Sequence, residues 1–188
     1  MERDDIKFDP SGIDAELRWI ALTLGGGIGV PFVPTRDDVL DLIFKALDLR
    51  EGDVFYDLGC GNGKVVVEAA RRYPIKRGVC VEARRDLAEE ARKRAREAGV
   101  SDRVIIVNDD MFKVDISDAT AVYMYLLTSV NEMLKPKLAK ELRRGTRIAT
   151  LDFQIPGWKP VKVLGDKAGW QRTIYLYIIG VSDTGGEE

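Results

Sequence analysis

An α/β fold is predicted: one domain on a doubly wound, mainly parallel sheet of seven strands, with an antiparallel strand pair at its C-terminal end. Three observations predict it. Short apolar runs alternate with segments of helical periodicity along most of the chain. A glycine-rich turn, "DLGCGNGK" from Asp57 to Lys64, directly follows the first of those runs. The last two runs have no helix between them, so they should pair antiparallel.

The elements follow in order. Residues 1–29 read as a lead-in in which "DAELRWIALTL" is a candidate amphipathic helix ending at Gly25 to Gly27. Residues 30–182 read as the domain, and residues 183–188 as a frayed tail. "VPFVPT" carries two prolines that impose an extended path. Thr35 is expected to cap a helix through Val39, Leu40, Leu42, Ile43, Ala46 and Leu47, a unit that Gly52 ends. "DVFYDLG" then reads as a buried strand and "KVVVEAARRY" as a helix. "RGVCVEA" is the second strand, and "RDLAEEARKRAREAG" a charged helix closed by Gly99. "RVIIVNDD" and "ATAVYMYLL" are the third and fourth strands. "SVNEMLKPKLAKEL" reads as helical pieces, with Ser129 and Glu132 as a capping box and Pro136 starting a second set of turns. "TRIATLDFQI" is the fifth strand. "KPVKVLGD" and "TIYLYIIGV" form the closing pair around a turn at Ala168 and Gly169.

Composition narrows the function. The chain has 188 residues, 45% hydrophobic and 32% charged, which fits a single globular domain. Its 29 basic and 31 acidic residues nearly cancel, which argues against an obligate, sequence-independent nucleic-acid binder. There is no histidine, so the usual general base and the Ser-His and Cys-His nucleophile pairs are excluded. Cys60 and Cys80 have no metal-ligand spacing and imply no disulfide framework; a reducing cytoplasm fits, and Cys60 reads as a small packed side chain. From Trp19 to Val33 the chain is apolar over about 15 residues but broken by glycines and a proline. A spanning helix needs about 20, so the stretch reads as a loop packed on the domain.

The glycine turn selects a ligand class. Gly59, Gly61 and Gly63 are spaced G-x-G-x-G, and Lys64 stands where a dinucleotide fingerprint has its third glycine. The P-loop pattern fails at Leu58 and Val65. Asp57 at the strand end would repel a phosphate but suits an amine. Glu82 ends the second strand 19 residues after Gly63, where a carboxylate can accept hydrogen bonds from ribose hydroxyls. Asp109 and Asp110 end the third strand, within reach of an adenine amino group. Each carboxylate alone reads equally well as a solvated turn residue. Together at successive strand ends they describe S-adenosylmethionine: amine, ribose, adenine.

"DLGCGNG" in this strand-turn-helix setting resembles the first motif of the seven-strand S-adenosylmethionine-dependent methyltransferases, a Rossmann-like class. "VPFVPT", "FYDLGCGNGKVVVEAA", "YMYLLTSVNEMLKPKLAKELRRGTRI" and "TIYLYIIG" are similar to the archaeal broad-specificity protein lysine methyltransferases and their mitochondrial relatives. The resemblance spans residues 30 to 180. It implies that Phe32 and Thr35 cover the cofactor, with Thr35 near its carboxylate. Asp57, Gly59, Gly61 and Gly63 would line its loop, Glu82 its ribose, and Asp110 its adenine, helped by the Met111 backbone. Tyr125 would line the acceptor channel. "YLLT" replaces the [ND]-P-P-[YF] tetrad of amide and nucleobase amino methyltransferases, which weakens a nucleobase reading. In the mitochondrial relatives an apolar segment precedes the same proline motif, which keeps a membrane alternative open for residues 1–29.

Methyl transfer needs alignment and a neutral nucleophile more than acid-base groups. Neutralising a lysine of pKa about 10.4 at pH 7 costs roughly 4 to 5 kcal/mol. An apolar aromatic slot lowers that cost by disfavouring the ammonium; Phe32, Tyr125 and Phe153 or Trp170 are the candidate walls. The expectation is therefore a cytoplasmic, monomeric protein-lysine methyltransferase of broad specificity, acting on proteins with accessible lysines and needing neither metal nor obligate nucleic acid. The alternatives are a methyltransferase for a small molecule or RNA, and a cofactor-binding regulatory subunit.

Overall fold

The computed structural model describes residues 35–165 and 172–184. The lead-in helix, the proline motif with Phe32, the turn at Ala168 and Gly169, and Trp170 lie outside the described residues.

Helix α1 (Asp37–Leu47) buries Val39, Leu40, Ile43, Phe44, Ala46 and Leu47 along one stripe. Its N-cap is Arg36 without a side-chain bond, not Thr35, and its left-handed C-cap is Asp48. Strand β1 (Val54–Leu58) is buried throughout and leads through the glycine turn into α2 (Lys64–Arg72). Strand β2 (Arg77–Val81), helix α3 (Arg85–Glu97) and strand β3 (Val104–Val107) follow. Strand β4 (Ala121–Met124) is fully buried, as expected for a central strand covered on both faces.

Helix α4 (Thr128–Glu141) corrects two expectations. It starts at Thr128 after Leu127 and has no capping box; Glu132 instead pairs with Lys135 at 3.1 Å. Pro136 lies inside one continuous helix. The proline is exposed, so the carbonyl its missing N–H leaves unpaired faces water. Strands β5 (Arg147–Leu151), β6 (Lys162–Gly165) and β7 (Thr173–Ile178) complete the chain. Past β7, Gly180 donates to Asp183 and Thr184 to the Val181 carbonyl, so the tail's first residues are tied into a turn.

The sheet order is β3-β2-β1-β4-β5-β7-β6. All pairings are parallel except those of β7, which runs antiparallel to both β5 and β6. The expected doubly wound sheet with its antiparallel end is therefore present. One face packs on α1, α2 and α3 through residues such as Phe44, Val66, Ala91 and Tyr123. The other packs on α4 through Leu134, Leu138, Met124 and Tyr177. Chain order reverses between β1 and β4, which opens a crevice at their carboxyl ends, the usual ligand position in such sheets. Among the described residues no helix is long and apolar enough to cross a membrane.

Candidate active site

The crevice is floored by the glycine turn. Gly59 and Cys60 donate their N–H groups to the Val81 carbonyl at 2.8 and 3.2 Å, so the turn begins by leaning on the end of β2. Gly63, at φ +77°, is the N-cap of α2, and a Cβ there would lie 2.8 Å from that of Ala91. Only glycine lets the turn approach α3 so closely. Arg94 of α3 donates to the Asn62 carbonyl at 3.1 Å and braces the turn from outside.

Cys60 and Cys80 form a disulfide, with Cα atoms 5.4 Å apart. The expectation of two unlinked cysteines is thereby corrected. The register pairs Asp57 with Cys80, which brings β2 alongside the turn; spacing in sequence carries no trace of that juxtaposition.

Asp57 is 2% exposed, and its Oδ2 has no hydrogen-bond partner among the described residues. Burial, aided by the nearby Glu82 charge, pushes its pKa up to about 8. A buried carboxyl in this state is costly unless a cation arrives to pair with it. The Tyr123 hydroxyl, opposite Asp57 in the β1–β4 register, is also buried and interacts with the Thr35 side chain. Burial, and then the Asp57 charge, raise its pKa well above the usual value.

Glu82 is buried just past β2. Its Oε2 accepts the Gly61 N–H at 2.8 Å and its Oε1 the Arg84 N–H at 2.9 Å. Burial raises its pKa, and those two N–H groups oppose the rise. A carboxylate offers about four acceptor positions, so two remain for further donors. Asn108 donates to the Glu82 and Ala83 carbonyls at 2.9 and 3.1 Å, fixing this strand end against β3. Asp110 accepts the Phe112 N–H at 2.8 Å, and Met111 is buried beside Gly59. Thr35 lies at the start of α1, where its carbonyl accepts from the Lys64 ammonium. Lys64 also meets Asp37 at 3.2 Å, so the residue that breaks the dinucleotide fingerprint ties this segment to α2.

On the β4 side Tyr125 is 36% exposed and stacks on Phe153, centroids 6.2 Å apart and planes 25° apart. Arg172 donates to the Tyr125 hydroxyl at 2.9 Å and to Asp152 at 2.5 Å. Asn131 is buried in α4 and donates to the Phe153 and Gln154 carbonyls, both at 3.2 Å. The structure thus gathers Thr35, Asp57, Gly59, Gly61, Gly63, Glu82, Asp110, Met111 and Tyr125 around the carboxyl ends of the strands. Phe32 lies outside the described residues. Sequence reasoning missed Tyr123, Asp152 and Arg172.

A buried carboxylate with one unpartnered oxygen beside a glycine turn, and a second carboxylate one strand away, fit a ligand bearing an ammonium and a ribose. At the opposite end of the strands, by the start of β1, β4 and β5, lies a hollow of about 580 Å³ among Arg50, Asp53 and Arg147. Its innermost charges satisfy each other, Arg147 meeting Asp53 at 2.6 Å, and none of the expected site residues lies there.

Residues 57–162 match the family described as the ANTKMT methyltransferase domain. The chain belongs to that family. A protein-lysine N-methyltransferase of Saccharolobus islandicus is 44% identical over 152 residues, covering 80% of this chain and 94% of the relative. The adenine nucleotide translocase lysine N-methyltransferase of Mus musculus is 33% identical over 137 residues, 73% of this chain. The present ANTKMT-type chain spans only 59% of that mouse relative. In three dimensions it is similar to an RNA methyltransferase from Salinibacter ruber, solved in complex with S-adenosyl-L-homocysteine. That pair has a TM-score of 0.74 and 44% identity, covering 78% of this chain and 94% of that one. The ANTKMT-family chain is thus an S-adenosylmethionine-dependent methyltransferase with the Rossmann-like fold of its class.

Proposed function

We propose that this enzyme methylates the ε-amines of lysines on several proteins. The observation that carries the reading is the Tyr125–Phe153 stack at the β4 and β5 ends, in the same crevice as the buried Asp57 carboxyl. The lysine methyltransferase activity named for the archaeal relative supports the same acceptor.

When bound, the donor supplies an electrophilic methyl on a sulfonium. Asp57 would hold the donor's ammonium, Glu82 its ribose hydroxyls, and Asp110 with the Met111 backbone its adenine. Gly59, Gly61 and Gly63 would let the backbone lie flat against it, and Thr35 and Phe32 would cover it. Tyr125 and Phe153 would wall the acceptor slot, excluding water and so disfavouring the acceptor's ammonium form. A neutral amine aligned in that slot requires no histidine. A slot walled by two aromatic rings would read the amine and little of the sequence around it, which supports a broad choice of proteins.

The Salinibacter relative supports a second reading, in which the acceptor is RNA. One experiment separates the two: the pure chain, labelled S-adenosylmethionine and cell lysate, with and without nuclease, followed by mass mapping. Label on lysine side chains that survives nuclease is the expected outcome. Label confined to nucleic acid would replace the lysine reading with the RNA one.

A further inference from the structure

We propose that Arg172, anchored on Asp152, is a positioning residue that locks Tyr125 as one wall and one hydrogen-bond acceptor of the lysine slot. This rests on the lysine reading above and extends it to a residue beyond the glycine turn and the acceptor motif.

An exposed tyrosine at a strand end ordinarily samples several rotamers. Tyr125 is instead held by two groups. Phe153 stacks on its ring, the Arg172 guanidinium lies 5.8 Å from the ring centroid, and one Arg172 Nη1 hydrogen meets the phenol oxygen. The second hydrogen of the same Nη1 goes to Asp152 Oδ2. Asp152 is itself immobilised: its Oδ1 accepts the Thr173 N–H at 3.0 Å, and its own N–H donates to the Thr173 carbonyl at 2.7 Å. It adopts φ +62°, a left-handed conformation that a non-glycine residue keeps only where its surroundings dictate it. The Phe153 main-chain carbonyl accepts from Asn131 of α4. Residues at the ends of β4 and β5 and just before β7 thus meet at one ring, with α4 holding the Phe153 backbone.

The bond has a direction. Arg172 can only donate, so the phenol oxygen accepts and keeps a second lone pair and its own hydrogen. An incoming amine must aim its lone pair at the methyl group while its N–H hydrogens find acceptors. The remaining phenol lone pair is one such acceptor, fixed in place before the substrate arrives. Asp152 offsets the guanidinium charge, so the clamp orients the amine without strongly repelling it.

The alternative is a strap that merely ties the start of β7 to β5. The test uses the full chain and the protein most heavily labelled in the lysate experiment. It measures kcat and KM for Arg172→Ala, Arg172→Lys, Tyr125→Phe and the Arg172→Ala/Tyr125→Phe double variant. Calorimetric binding of S-adenosylhomocysteine serves as the donor-side readout. Arg172→Ala should lower kcat/KM for the acceptor by about tenfold to a hundredfold, the range of one charge-assisted hydrogen bond. Donor-side affinity should stay within about twofold, and Arg172→Lys should recover part of the loss. In the Tyr125→Phe background the same change should cost about twofold or less, because the coupled partner is gone. An undiminished loss in that background, loss of donor-side binding, or no loss at all would overturn the clamp while leaving lysine methylation standing. A wild-type chain that labels no lysine would overturn both.

Discussion

Asp57 couples the charge of the crevice to the stability of the fold. Its folded carboxyl titrates near 8 against an ordinary value of 3.8. Between those values the folded chain binds a proton that the unfolded chain has released. The stability this group contributes is therefore complete below about pH 4 and declines as pH rises through 8. Pairing with a cation requires the ionised form, so donor binding should release protons at pH 7 and tighten towards pH 8. Calorimetry in two buffers of different ionisation enthalpy reads that release directly. Asp57→Asn should lose donor affinity by about tenfold or more, yet unfold about 1–3 kcal/mol harder than the wild type at pH 8. A variant that binds normally would remove Asp57 from the donor site. This trade of stability for affinity is common where a polar group awaits a ligand.

At the scale of elements, the disulfide is the main addition to what the sequence indicated. Cys60 and Cys80 are 20 residues apart, and closing a loop of that size stabilises by about 3 kcal/mol in the chain-entropy account. The bridge also holds the glycine turn against β2. Reduction, or Cys80→Ser, should therefore lower the melting temperature and weaken donor binding together. Melting curves and calorimetry with and without reductant test this, and a melting temperature indifferent to reductant would refute it. The strands and helices themselves were legible, because each has one clear period: a stripe in α1, a continuous apolar run in β1 and β4. Their ends were less so. "TSVNE" contains a capping-box spacing, but the chain enters α4 one residue before the serine, so Glu132 turns outward to Lys135. Thr35 precedes α1 by two residues, so its hydroxyl is too early to cap.

The whole molecule divides at the crevice between β1 and β4. Strands β1, β2 and β3 carry Asp57, Glu82 and Asp110 at their ends, while β4, β5 and β7 bring Tyr125, Phe153 and Arg172 together. Changes on the two sides should therefore separate kinetically. Arg94→Ala, which unbraces the glycine turn, should weaken donor affinity and leave acceptor KM unaltered. Phe153→Ala should raise acceptor KM several-fold and leave donor affinity intact. Equal effects of both variants on both constants would refute the division. The proposed donor half was readable because its residues follow consecutive strands in chain order. On the proposed acceptor side Tyr125 and Phe153 were readable, but Asp152 and Arg172 were not: they meet only because β7 returns antiparallel beside β5, a pairing no local pattern encodes. That return also governs how the enzyme is born. Because β6 pairs with β7 alone, it emerges from the ribosome with no neighbour and must wait for Thr173–Ile178 to follow. Synthesis proceeds at about 5–20 residues per second. Until Thr173–Ile178 is translated, β5 remains a bare margin, so a nascent polypeptide can assemble β1 to β3 and their glycine turn well before the clamp on Tyr125 exists.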